Sequence, residues 1–191
     1  MHLLDSSAII TPFHGGQLKA LSVALNHHSS NDTRAWLERW LEQGFSSGHL
    51  VIAQDVYKEV VERRGSGRPE RDLLRRLGES GQVKVLQPTE NTIAELAKIH
   101  NFIQSRYEPH QARAFLDKHD PFLVALAKTY GAVLVTEERH VIPEGDGSSG
   151  LIRGEPRLPF VAWAFGVRWV GLLQILGRSL EEGNASRRPA L

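Results

Sequence analysis

Short, solidly apolar runs, each followed within a few residues by an acid, constrain most of what this chain can become. His2-Leu3-Leu4 runs into Asp5, Leu50-Val51-Ile52-Ala53 leads to Glu59, and Ala132-Val133-Leu134-Val135 leads to Thr136-Glu137-Glu138. Runs this short, with no polar alternation, fit strands covered on both faces, as in the centre of a parallel sheet. The stretches between them carry apolar residues at helical spacing, and that alternation argues an α/β fold with a central, mostly parallel sheet. If the strands are parallel, their carboxyl ends share one edge, where open α/β folds bind ligands. Carboxylates gathered on such an edge repel one another unless a cation neutralises them.

The spacing predicts strands at His2–Leu4, Leu50–Ala53, Val83–Leu86, Ala132–Val135 and Val167–Val170. A first helical turn at Ala8-Ile9-Ile10 is broken by Pro12, and Leu18, Leu21, Val23 and Leu25 suggest a helix before the loop His27–Ser30. Asn31 or Asp32 is the expected cap of a helix with Trp36, Leu37, Trp40 and Leu41 at helical spacing, where the aromatics read as core or dimer interface. Val56, Val60 and Val61 continue a helix beside Glu59 until Gly65–Pro69 breaks it, and Leu73, Leu74 and Leu77 point inward from a basic helix. A long helix to about Tyr107 and a shorter one over Gln111–Leu116 follow. Asp120 reads as the cap of a helix with Pro121 at its first position, Phe122, Ala125 and Leu126 inward, and its stop at Gly131. His140–Pro159 is rich in Gly, Pro and Ser and reads as a loop, before short helices at Phe160–Phe165 and Leu172–Leu176. Residues 1–180 are expected to form a single domain, and 181–191 a polar, disordered tail.

With 191 residues the chain is large enough for one core. A net charge of +1 supplies no global attraction to nucleic acid, so such binding would need a local patch. The absence of cysteine excludes disulfides and thiolate metal sites and fits a reducing, cytoplasmic setting. No apolar run is long enough for a membrane span, and Asp5 interrupts the amino terminus too early for a signal peptide.

Metal-dependent phosphodiester hydrolysis needs carboxylates on one rim, which hold divalent ions ~4 Å apart to activate a water and stabilise the leaving oxygen. Hard oxygen ligands suit Mg²⁺ or Mn²⁺. With 22 acids in the chain, helix caps and solvated faces are on pattern alone the better account of four near strand ends.

The order of the motifs adds a resemblance. Leu3-Leu4-Asp5-Ser6-Ser7-Ala8-Ile9-Ile10 resembles the opening strand of PIN domains. Val56-Tyr57-Lys58-Glu59-Val60 is similar to their second motif, Asp120-Pro121-Phe122-Leu123-Val124-Ala125-Leu126-Ala127 to the third, and Leu134-Val135-Thr136-Glu137-Glu138 to the fourth. Leu158-Pro159-Phe160 with Phe165-Gly166-Val167 resembles the PIN ending, so the likeness runs from about Met1 to Leu176. The Asp-Pro and Thr-Glu-Glu forms look most like the VapC-like subgroup of toxin–antitoxin loci.

The resemblance implies a PIN-like α/β/α sandwich and a Mg²⁺- or Mn²⁺-dependent endoribonuclease. It also implies an RNA substrate, a cognate antitoxin and a homodimer. It makes Asp5, Glu59, Asp120 and Glu138 the catalytic, metal-binding acids. Ser6 or Ser7 would orient the first acid or a water, and Thr136 would steady the fourth acid by hydrogen bonding. The fourth acid is Glu where many PIN domains have Asp, and the adjacent Glu137 is an open alternative. The loop 140–159 is longer than in compact PIN domains and could cover the rim or reposition Glu144 or Asp146.

Arg63, Arg64, Arg68 and Arg71 follow the Glu59 helix and could track an RNA backbone, while the interleaved Glu62, Glu70 and Asp72 fit a solvated helix instead. His27-His28 reads as a polar surface loop, since adjacent histidines rarely ligate one ion. His119 could reach a substrate phosphate or lie exposed. Two rival functions remain. One is a PIN-like module that binds RNA or protein without cleaving. The other is a phosphatase with Asp5 as nucleophile, disfavoured because the haloacid-dehalogenase pattern wants an Asp where Ser7 stands.

Overall fold

In the computed structural model, which describes residues 1–65, 67–141 and 150–177, five strands form one sheet in the order β3-β2-β1-β4-β5, every pair parallel. These are β1 (His2–Leu4), β2 (Leu50–Ala53), β3 (Val85–Leu86), β4 (Val133–Val135) and β5 (Trp169–Val170). Leu4 is in register with both Ile52 and Val135, so the first strand of the chain is the central one. Leu3, Leu4, Val51, Ile52, Leu134 and Val135 are fully buried, as their unbroken apolar runs require. The expected strands at 83–86 and 167–170 shorten to two residues each, because only those residues find a partner at the sheet edges.

Helices α1 (Ser6–Ile10), α2 (Gly15–Ala24), α3 (Ser30–Ser46), α4 (Gln54–Glu62) and α5 (Pro69–Glu79) pack together on one face. Helices α6 (Glu90–Arg106), α7 (Pro109–Leu116), α8 (Asp120–Tyr130) and α9 (Leu158–Ala164) form the other layer. Right-handed crossovers produce this division, since strand order runs one way from β1 to β3 and the other way from β4 to β5. The expected α/β/α sandwich is therefore present.

Local chemistry sets the helix ends. Ser29, not Asn31 or Asp32, caps α3, with its hydroxyl accepting from the Asp32 amide. Asp120 is the first residue of α8 rather than its cap, and His119 takes the cap position. Helix α8 buries Pro121, Leu123, Val124, Ala125, Leu126 and Ala127, while Phe122 is only partly covered. Each fully buried Leu or Val contributes roughly 1.5–3 kcal/mol. Gly131 ends this helix in the left-handed region at φ 61°, a conformation that needs no Cβ. Gly78 lets α5 approach α4 closely, since a Cβ there would stand 2.0 Å from the Tyr57 hydroxyl. Of the loop 140–159, residues 142–149 with Glu144 and Asp146 lie outside the described residues, as does the tail 181–191. Ile152 pairs with Tyr107 in an isolated bridge, and α9 begins at Leu158, earlier than expected. Among the described residues no helix is long and apolar enough to cross a membrane.

Candidate active site at the carboxyl edge of the sheet

The strand order reverses at β1 and β4, and their carboxyl ends form the crevice where open α/β sheets bind ligands. Asp5 follows β1 directly, and Thr136, Glu137 and Glu138 follow β4. Asp120 joins them because α8 runs back towards the start of β4, which sets its own start at this same edge.

Asp5 is only 7 % exposed. The Ser6 amide donates to Oδ1 at 2.7 Å, the Ser7 hydroxyl to Oδ2 at 2.6 Å and the Thr136 hydroxyl to Oδ2 at 2.9 Å. The Ser6 hydroxyl is more distant, 3.5 Å from Oδ1. The two close hydroxyls are themselves oriented: the Glu137 amide donates to Ser7 Oγ at 3.0 Å, and the Glu138 amide to Thr136 Oγ1 at 3.2 Å. With a lone pair of each hydroxyl engaged by an amide, its single proton is free to point at Asp5. The resemblance gave Thr136 to the fourth acid. Its proton serves the first, while its oxygen holds the backbone of Glu138.

Burial, then the neighbouring charge of Glu138, then that of Asp5, push the Asp120 carboxyl up to about 7 from 3.8. Lys118 opposes the rise and Glu155 adds to it. Three acids from three segments of the chain thus share one field. The two candidates for the fourth acid differ in employment. Glu137 accepts from the Leu172 amide at 2.8 Å and from Gln17 Nε2 at 3.1 Å, so both its oxygens tie surrounding elements together. Glu138 accepts from the Leu158 amide at 3.1 Å through Oε2 and acts electrostatically on Asp120.

Glu59 is placed differently. It is exposed on α4, which packs against α1, and among the described residues it makes no hydrogen bond or ion pair with the other acids. The donor set (carboxylate and hydroxyl oxygens around the Asp120 carboxyl) has the chemistry a hard divalent cation requires. Among the described residues, however, no three His, Asp or Glu side chains stand close enough together to hold one ion.

Two contacts between distant segments flank the acids, His119 with Asp55 and Lys118 with Glu155, and neither is visible in the sequence. His119 Nδ1 lies 3.6 Å from Asp55 Oδ2, which links the starts of α8 and α4 across the rim. Lys118 Nζ bonds Glu155 Oε1, and Arg157 lies 3.8 Å from the other Glu155 oxygen. The Glu155 bond, with smaller help from Asp120 and Glu138, raises the Lys118 ammonium above its usual range.

The arginines divide into two pairs. Arg63 and Arg64 are exposed. Arg68 donates to the Arg64 carbonyl at 2.9 Å and lies 3.9 Å from the buried Glu70, which also meets His14 at 3.2 Å. Arg71 donates to the Gly65 carbonyl at 2.7 Å and pairs with Asp72 at 3.0 Å. Arg68 and Arg71 thus brace the connection between α4 and α5. His27 meets Thr33 Oγ1 at 3.1 Å and the edge of Trp36, which fits the polar-loop reading over a zinc site.

Residues 19–181 match the sequence model of a family described as "Domain of unknown function (DUF4411)". No match was found among curated proteins. Among solved structures, a chain of the crystal structure of FitAcB from Neisseria gonorrhoeae is similar at 15 % identity and a TM-score of 0.47, covering 91 % of this chain and 99 % of that one.

Proposed function

The chain belongs to the DUF4411 family, and we propose that it is a metal-dependent endoribonuclease, the toxin of a type II toxin–antitoxin pair resembling the VapC group. The observation that carries this reading is the convergence of Asp5, Asp120 and Glu138 at the reversal of strand order, where burial, then the charges of Glu138 and Asp5, push the Asp120 carboxyl up to about 7. A structural role does not call for three mutually repelling carboxyls on one edge. A divalent cation does. The order of the PIN-like motifs supports the same conclusion.

Asp5, Asp120 and Glu138 would hold Mg²⁺ or Mn²⁺, with Glu59 reaching in from α4. Glu138 fills the fourth position in preference to Glu137, whose oxygens are committed to Leu172 and Gln17. When bound, such ions supply electrostatic stabilisation of the phosphodiester and lower the pKa of a water. The chain's own residues supply order. Ser7 and Thr136 fix the Asp5 oxygens, and the backbone amides of Glu137 and Glu138 fix Ser7 and Thr136. The acid Asp120 must lose its proton for a cation to enter. A separate antitoxin chain, a second copy of this chain and a cytoplasmic setting belong to the same proposal.

One observation favours a second reading, a PIN-like module that binds RNA or protein without cutting: no three acids already surround a single point among the described residues. Purified protein incubated with mixed single-stranded and transfer RNA in Mn²⁺, in Mg²⁺ and in chelator separates the two. Metal-dependent cutting that Asp5→Asn and Asp120→Asn both lose supports the nuclease. Wild-type cutting by either variant refutes the site.

A further inference from the structure

We propose that Lys118 grips a phosphate of the bound strand, and that Glu155 holds its place until RNA arrives. The inference rests on the nuclease reading. An edge that gathers Asp5, Asp120 and Glu138 repels a polyanion, so a substrate strand needs a protein cation beside the acids as well as ions among them. Lys118 stands two residues before Asp120 and within electrostatic reach of both Asp120 and Glu138. Its ammonium is bonded to Glu155, yet the side chain is 48 % exposed.

The other cations at this end are less suited. His119 faces Asp55, and Arg157 lies along the far oxygen of Glu155. Arg139 is exposed after Glu138, but among the described residues no interaction links it to the acids. Arg68 and Arg71 brace the α4–α5 connection.

The partner of Lys118 makes the exchange feasible. A carboxylate offers an ammonium the same anionic oxygen that a phosphodiester would. The Lys118–Glu155 pair is exposed, and exposed pairs are weak, so little is lost when it opens. Glu155 is not stranded afterwards, because Arg157 remains 3.8 Å from its Oε2. Lys118, a flexible point charge, can swing to the strand without moving α8. In this arrangement Glu155 competes with substrate for the ammonium.

That competition separates a phosphate grip from a merely structural tie. The test is binding of a short fluorescein-labelled single-stranded RNA by anisotropy, over a range of salt, with Ca²⁺ as the divalent ion and RNA integrity checked on a gel. Wild type, Lys118→Met, Lys118→Arg and Glu155→Gln are compared, each first shown to melt near wild type. Lys118→Met is expected to bind about tenfold more weakly. The slope of log affinity against log salt should shrink by about 0.7, the loss of one contact to a single strand. Lys118→Arg should restore most of both, and Glu155→Gln should bind more tightly than wild type. Equal weakening by Lys118→Met and Glu155→Gln, or an unchanged slope in Lys118→Met, overturns the proposal. If wild type cuts RNA while Lys118→Met binds as wild type does, only the grip fails. If wild type neither binds nor cuts, the nuclease reading fails and the grip with it.

Discussion

The Thr136 hydroxyl donates to Oδ2 of Asp5 at 2.9 Å, joining residues 131 positions apart at the carboxyl ends of neighbouring strands. Thr136→Val removes this bond and strands the Glu138 amide, which should cost about 1–3 kcal/mol in urea unfolding. RNA cleavage should fall as well, because the Asp5 oxygens lose a fixed donor, and Thr136→Ser should recover both. A Val variant with full stability and full cleavage would show that the bond matters to neither.

Asp120 gives the protein a distinctive pH response. Its carboxyl titrates at about 7 in the folded chain against 3.8 as the ordinary value. Between those limits the folded state holds a proton that the unfolded state has released, so stability falls as pH rises through the window and levels off above it. The whole effect is on the order of a few kcal/mol. Asp120→Asn should flatten the slope in chelator. Added Mg²⁺ or Mn²⁺ should raise the melting temperature more above the window than within it, since the ion competes with that proton. Equal ion effects at both pH values would remove Asp120 from the ligand set.

The adjacent glutamates should separate cleanly by variant. Glu137→Ala frees the Leu172 amide and Gln17, so its main expected effect is a lower melting temperature, by several degrees. Glu138→Gln retains an acceptor for the Leu158 amide but removes charge beside Asp120, so its main expected effect is loss of metal-dependent cleavage. The reverse pattern would move the fourth acid to Glu137.

Tyr107 offers a test of the core alone. Its ring is fully buried, its hydroxyl has no hydrogen-bond partner among the described residues, and burial pushes that hydroxyl up to about 12. Tyr107→Phe deletes a desolvated polar atom and leaves the ring, so thermal denaturation should show a variant as stable as wild type or more so, by up to about 1–3 kcal/mol. A clear loss of stability would mean that the hydroxyl is satisfied in solution.

Burial on both faces wrote the sheet plainly into the sequence: Leu50–Ala53 and Val133–Val135 are apolar throughout and sit in or beside its centre. The positions of Asp5 and of the Glu137-Glu138 pair were legible for the same reason, since acids that close such a run lie at the strand end, but the run does not choose between the two glutamates. The caps were not, because Ser29, Asn31 and Asp32 are all competent and only backbone angles choose among them. Asp120 reads as a cap in the sequence, but it is the first residue of α8, with His119 at the cap. The Lys118–Glu155 and His119–Asp55 pairs leave no mark in the sequence because charge carries no periodicity. Glu70 looked like part of a solvated helix, and its burial against His14 depends on a fold that brings α5 to the 3-10 turn at Thr11–Phe13.

The placement of β1 between β2 and β4 also has a consequence for folding. β1 is central, yet one of its two neighbours begins only at Val133. Asp5 meets Thr136 only by closing a span of 131 positions. Loop closure over that span is slow. The acidic edge therefore assembles only after contacts distant in sequence have closed, and local helix formation alone does not build it.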